Sequence, residues 1–287
     1  MTEFGIVRVE DPKSVARHVA IGRLKSAGWS IGKTLLSGAS VMLIILVLWV
    51  AWVAWVDNDF IAKGPSDVWA YLVGDDDALE NRTEVLDLLG RTLIDSGIGF
   101  VAGMAAAIVL AGLIVLSKGI EAAVMPVAMI LRAVPLIAMA PVIILIFGRG
   151  FSSVAVISGI VVLFPALVTI VFGLRAVSQQ MRDLVHVYGG SDWDALRKVA
   201  FPFALPSLFA AIRISVPGAI TGALIAEWLA TGRGIGYGVV SAAGQSQNTK
   251  VWALVVVITV VSLVLYTVAQ VVESYVLNRF GKDAGRA

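Results

Sequence analysis

Long apolar runs, separated by short polar segments, divide this chain. The first, Leu35 to Val56, carries no charge and exceeds the roughly 20 residues that a helix needs to cross a bilayer core. Others follow at about 92–116, 122–147, 154–174, 207–230 and 251–272. The pattern predicts an all-α membrane protein with six transmembrane helices over residues 35–276. A polar basic segment, 1–34, precedes them and a short tail, 277–287, follows. Trp49, Trp52 and Trp55 crowd the far end of the first span, as side chains do at a membrane–water interface. Gly99 and Gly103 form a GxxxG in the second span, a spacing that lets another helix approach closely.

The polar segments orient the spans. Arg8, Lys13, Arg17, Arg23, Lys25 and Lys33 make the N-terminal segment basic, whereas the loop 57–91 is acid-rich and reads as solvated. Cations collect on the cytoplasmic side, so both termini of a six-span chain are expected there. Val15, Val19, Ile21 and Leu24 suit a helix lying on the membrane face, with a disordered basic leader as the alternative. Gly28-Trp-Ser-Ile-Gly32-Lys33-Thr34 is one residue short of a phosphate-binding loop and runs into a membrane span, so ATP binding by this chain is rejected.

Between the fourth and fifth spans, residues 183–206 have a design of their own. Tyr188 can close a short helix, and Gly189-Gly190 provide a turn where positive φ costs little. Ser191 is placed to cap a second helix, with Asp194 three residues on as its capping-box partner. Trp193, Leu196 and Ala200 recur at helical spacing, and Pro202 and Pro206 are expected to stop this helix and restart the chain as the next span. The product is a helix–glycine turn–helix knuckle outside the bilayer.

These residues resemble the cytoplasmic loop of permease subunits in bacterial ABC importers, which reads E-A-A, three residues, G, nine residues, I-x-L-P. Gly189 takes the glycine position and Val199-Ala200-Phe201-Pro202 follow after nine residues, while Asp183-Leu184-Val185 replace Glu-Ala-Ala. The runs Gly-Gly-Ser-x-Trp and Pro-Phe-Ala-Leu-Pro look most like the nitrate/sulfonate/taurine branch, and Leu-Arg-Ala-Val-Pro-Leu through Gly150 is similar to the same family. The resemblance implies the type I importer permease fold in a bacterial inner membrane, and a non-catalytic subunit. Asp183, Gly189, Ser191, Asp192, Trp193 and Pro202 would form the coupling helix that docks on an ATP-hydrolysing subunit. ATP and magnesium would bind that partner, and no cofactor this chain. Two ATPase subunits, an extracytoplasmic binding protein or lipoprotein and membrane lipid complete the expected partners. One knuckle per chain implies a second permease chain, by default an identical one.

Polar groups within the spans are the candidates for a route. Arg132 stands in the third apolar run, where a charge normally faces a bundle interior or water, and Pro135 and Pro141 free backbone groups nearby. The alternative for Arg132 is snorkelling or pairing with Asp95. Ser215, Pro217, Gly218, Thr221 and Gly222 make the fifth span small and polar on one face, which either packs or lines a path. Glu227 follows, and the A-E-x-L…G-x-G-x-G run from there to Gly236 resembles a segment that lies near the outer gate in the family.

Composition narrows the function classes. With 59% hydrophobic and 15% charged residues and a mean hydropathy of +0.91, the chain is no ordinary soluble domain. It has no cysteine, which removes thiolate chemistry, and its two histidines, His18 and His186, lie on different polar segments. No basic–aromatic surface supports nucleic-acid binding. The function expected is a permease for a small anion such as a sulfonate, taurine or nitrate, with Arg132 as the cation. A neutral heterocycle or vitamin precursor is the alternative substrate, and an ion-coupled secondary transporter the alternative class.

Overall fold

The computed structural model describes residues 40–280, and all their side chains except those of Leu131, Arg132, Arg279 and Phe280. The basic segment 1–34 and the end of the tail lie outside the described residues. The chain divides into two units, Met1–Ser66 and Asp67–Ala287. In the first, helix α1 (Ser40–Val56) is apolar throughout, and Trp55 at its end is exposed. The Trp49 indole N–H donates to the Lys63 carbonyl at 3.1 Å, tying the following loop back to the helix. Helix α2 (Pro65–Trp69) carries the chain into the second unit through a π turn at Ala70–Gly74.

Helix α3 (Ala78–Leu116) starts well before the span expected at 92, so the acidic stretch 57–91, expected as a loop, holds α2, the π turn and the first turns of α3. The reason lies in Val85, Leu88 and Leu89, which recur at helical spacing and pack with Ile235 and Leu254. The third apolar run is two helices, α4 (Lys118–Ala133) and α5 (Leu136–Phe147), broken at Val134-Pro135. Proline offers no N–H and pushes the residue before it out of the helical region; Val134 has ψ 126°. After Gly150 come α6 (Phe151–Arg175), α7 (Gln179–Val187) and α8 (Asp192–Ala195), then a π turn at Leu196–Ala200 and α9 (Phe201–Phe203). Helix α10 (Leu205–Ala226) ends in a π turn at Glu227–Thr231, and α11 (Gly234–Gly244) and α12 (Asn248–Phe280) complete the unit.

Among the described residues four helices are long and apolar enough to cross a membrane: α3, α6, α10 with its π turn, and α12 over 248–278. Small residues hold three of them together. A Cβ on Gly99 would fall 2.2 Å from the Ser158 Cβ, and one on Gly103 would fall 2.5 Å from the Gly159 carbonyl oxygen. From the other side, a Cβ on Gly222 would come within 2.5 Å of the Ser158 Cα, and the Ser158 hydroxyl donates to the Ala219 carbonyl at 3.0 Å. Helix α6 is thus wedged at Ser158-Gly159 between α3 and α10. The GxxxG is a packing element, as expected. Below this crossing the core continues through Ala107, Ala111, Ala166 and Ile170 to Leu174.

Candidate functional site

The knuckle is built as two capped helix ends back to back. Helix α7 closes at Tyr188 with Gly190 N–H donating to Val185 O and Gly189 N–H to His186 O, both at 2.9 Å, the two bonds of a Schellman motif. Gly189 is required by its φ of +79°, since a Cβ there would meet nothing. Gly190 is required by space, because its Cβ would fall 2.5 Å from Val185 Cγ1. Ser191 and Asp194 then form the expected capping box: Asp194 N–H donates to Ser191 Oγ at 3.2 Å, and Ser191 N–H to Asp194 Oδ2 at 3.1 Å. Lys198 lies 2.7 Å from the Asp194 carboxylate. Lys198, with the Ser191 hydroxyl and N–H, holds that carboxyl well below the usual range.

The two faces of the knuckle differ. Leu196 and Ala200 are buried with Ala111 and Leu174, so the second helix is seated on the core of α3 and α6. Trp193, expected on the same face, is 58% exposed, and Val187 and Tyr188 are 82% and 84% exposed. Asp183 accepts from Gln179 at 2.8 Å on the surface, and Asp192 lies 3.1 Å from His186, bridging the two helices. Pro202 corrects the expectation that it stops the helix. The π turn before it sends Phe201 N–H to Leu196 O, and the chain stays helical through Pro202 to Phe203 before bending at Ala204. Pro206 restarts the chain in the second position of α10, as expected. Nearby, Arg175 at the end of α6 pairs with Glu121 of α4 at 2.7 Å, and its hydrogen bond, reinforced by its charge, holds the pKa of that carboxyl below the usual carboxylate range.

A cavity of about 530 Å³ opens beside the α4–α5 break. Pro135 lines it with Val161, Phe164, Pro165 and Thr169 of α6 and Ile214 of α10. The backbone of Arg132 lies in the last turn of α4; its side chain is outside the described residues. The polar stretch of α10 separates into two faces. Ser215 is 1% exposed with no partner for its hydroxyl, on the side where Gly222 meets α6. Thr221 is exposed and donates to Pro217 O at 3.0 Å. Neither lines the cavity.

Glu227 is fully buried at the end of α10 and caps another helix from a distance. Its Oε2 accepts from Gly236 N–H at 2.8 Å and lies 3.0 Å from the Thr92 hydroxyl, which itself accepts from Ile235 N–H at 2.9 Å. The first N–H groups of α11 are thus satisfied by α3 and the π turn instead of by Arg233, which makes no side-chain cap. The glycines follow from this. Gly234, at φ +82°, would put a Cβ 2.2 Å from the Glu227 carboxyl carbon, and Gly236 one 2.2 Å from Leu224 O. Thr92, far away in sequence, gave no signal beyond its place at the start of an apolar run. Sequence reasoning also missed an ion pair inside the bundle. Arg213 Nε lies 3.2 Å from Glu273 Oε2, with Tyr266 beneath the guanidinium at 5.8 Å. The misaligned Nε–Oε2 contact counts as charge pairing and not as a hydrogen bond. Glu273, just beyond the last apolar run, belongs to α12, which runs on to Phe280.

Residues 96–281 match the family described as "Binding-protein-dependent transport system inner membrane component". A probable ABC transporter permease protein of Haemophilus influenzae is 33% identical over 61% of this chain and 71% of its own. The riboflavin transport system permease protein RibX of Chloroflexus aurantiacus is 30% identical over 54% of this chain and 58% of its own length. The formylaminopyrimidine transport permease protein ThiX of Halalkalibacterium halodurans is 31% identical over 52% and 60%. The chain thus spans a little under two thirds of the latter two. An inward-facing structure of the MetNI methionine ABC transporter superposes with a TM-score of 0.55, covering 72% of this chain and 99% of that one at 18% identity, a likeness of fold.

Proposed function

We infer what this subunit does from the family to which the chain belongs, the inner membrane components of binding-protein-dependent transport systems. It is a multi-pass permease of the bacterial inner membrane, non-catalytic, serving an ABC importer whose ATP hydrolysis occurs on a separate ATPase. The knuckle is the coupling element. The observation that carries this reading is its two-faced construction: Leu196 and Ala200 root it in the core of α3 and α6, while Val187, Tyr188 and Trp193 offer apolar surface outward. Exposed aromatic and aliphatic anchors on a rigid base are what a docking partner recognises. Asp183, Asp192 and the Gly189 turn hold the shape of that surface.

In this reading six spans cross the membrane, with both termini and the knuckle in the cytoplasm. Two such chains, by default identical, pair around the route. Each knuckle engages one of two ATPase subunits, which bind ATP and magnesium, and an extracytoplasmic binding protein delivers the substrate. Closure of the ATPase pair moves the knuckles, and the seated helix α8 passes that movement to α3 and α6. The route runs past the α4–α5 break at Pro135. Glu227 is a positioning residue that holds α11 to α3. Arg132, one turn before the break, would favour an oxyanion such as nitrate or a sulfonate, and the cavity lining a neutral solute. Trp193→Glu places a charge on the exposed docking face without touching the core. ATP-driven uptake in proteoliposomes should fall severely while the amount of inserted permease stays the same; unchanged uptake would sink the coupling assignment.

A further inference from the structure

We propose that Arg213 and Glu273 are positioning residues for transport, a charge pair inside the membrane that makes α12 move with α10; the proposal rests on the permease reading above. Arg213 is the one charged residue of α10, and Glu273 is the one charged residue of α12 between Lys250 and Arg279. Both stand in helices long and apolar enough to cross a membrane. Arg213 lies roughly 12 Å along α10 from Leu205, and Glu273 roughly 8 Å before the end of its span at Asn278. Two lone charges on neighbouring helices thus meet, with side chains 28% and 15% exposed. Tyr266, two turns earlier on α12, lies beneath the guanidinium.

Adhesion alone does not explain the pair. Arg213 Nε and Glu273 Oε2 are buried without a hydrogen bond, and apolar side chains of similar volume hold two helices together as well as such a pair does. What the charges add is register. Apolar burial is non-directional, whereas Arg213 is compensated only where it faces Glu273. Charges retained inside a span mark function, and the surroundings of this pair say which. Helix α12 is the least buried of the four long apolar helices, with 17% of its most apolar stretch covered against 50% for α6. Its outer end is fastened to α3, by Lys250 at 2.5 Å from Glu84 and by Leu254 packed with Val85. The charge pair fastens its inner half to α10, and only Ala204 separates α10 from α9 and the knuckle. Helix α12 is therefore a strut between the outer face and the knuckle, and the pair is the joint through which movement at one end reaches the other.

The test uses the complex of this chain with its ATPase in proteoliposomes. The readout is stimulation of ATP hydrolysis by the binding protein, added as purified with the solute it carries. The double variant Arg213→Met, Glu273→Leu removes both charges without stranding either. It should insert in the same amount, melt like the wild type and keep basal ATP hydrolysis, while the stimulation is lost. The exchanged pair, Arg213→Glu with Glu273→Arg, should keep the stimulation. Full stimulation without the charges would overturn the positioning role, and so would its loss in an exchanged protein that assembles normally. A lower melting temperature with stimulation unchanged would reduce the pair to a structural one. A wild-type chain that recruits no ATPase would overturn the permease reading itself, and the proposal with it.

Discussion

At the scale of single residues, the knuckle shows two glycines side by side that are needed for different reasons. Gly189 occupies left-handed backbone in open space, and Gly190 ordinary backbone in a crowded place. Gly189→Val should therefore cost about 1–2 kcal/mol from conformation alone, whereas Gly189→Asn should be milder. Thermal unfolding of the purified protein separates the two. The cap beside them has a defined pH response. The Asp194 carboxyl sits below its usual range in the folded protein. Its stabilisation is therefore complete above the unfolded value, about 4, and is lost as pH falls through the lower folded value. Hydrogen-exchange protection of residues 191–200, corrected for intrinsic rates, should stay level from pH 7 to about 4 and decline only in stronger acid. A decline between pH 7 and 5 would assign the cap's stability to another group. At the other end of α10, Glu227→Gln keeps an acceptor for Gly236 N–H and should be tolerated. Glu227→Leu orphans that buried N–H and should cost about 1–3 kcal/mol. Equal melting temperatures for the two variants would remove the capping role.

Elements are decided where helices cross. Gly97 and Gly99 differ by two residues along α3, yet a Cβ on the first meets nothing and on the second overlaps Ser158. Gly97→Ala should be neutral or slightly stabilising, and Gly99→Ala should force α3 and α6 apart at about 1–3 kcal/mol. A detergent melting curve for each variant checks the wedge, and the opposite order would contradict it. Much at this scale was legible beforehand. The capping box at Ser191, the glycine turn and the GxxxG all rest on local chemistry that a sequence displays. The helical run through Val85 was hidden because its acids suggested a solvated loop, while the apolar face that makes it a helix is satisfied only by Ile235 and Leu254. Pro202 misled for a related reason. Proline ends a regular helix, but a π turn supplied by the residues before it lets the chain stay helical.

For the whole molecule, the family was legible in a few residues in register, Gly189, Trp193, Pro202 and Pro206, because glycine, an aromatic and two prolines at fixed spacing make a motif that stands out from apolar runs. The candidate route was legible only in part. Pro135 lies on a cavity, but Ser215 is buried and Glu227 caps α11, distinctions that depend on which side of a helix its neighbours occupy. Thr92 and Glu227 meet across the bundle without any pattern linking them along the chain. The central claim is that the knuckle lies in the cytoplasm and is covered by an ATPase subunit. The chain has no cysteine, so a single one can report on it without background. The most direct measurement is labelling of Val187→Cys with a membrane-impermeant maleimide. The account predicts no labelling of intact cells, ready labelling of inverted vesicles stripped of the ATPase, and protection when the ATPase subunit is added back. Labelling from outside intact cells, or no protection by the ATPase, would contradict it.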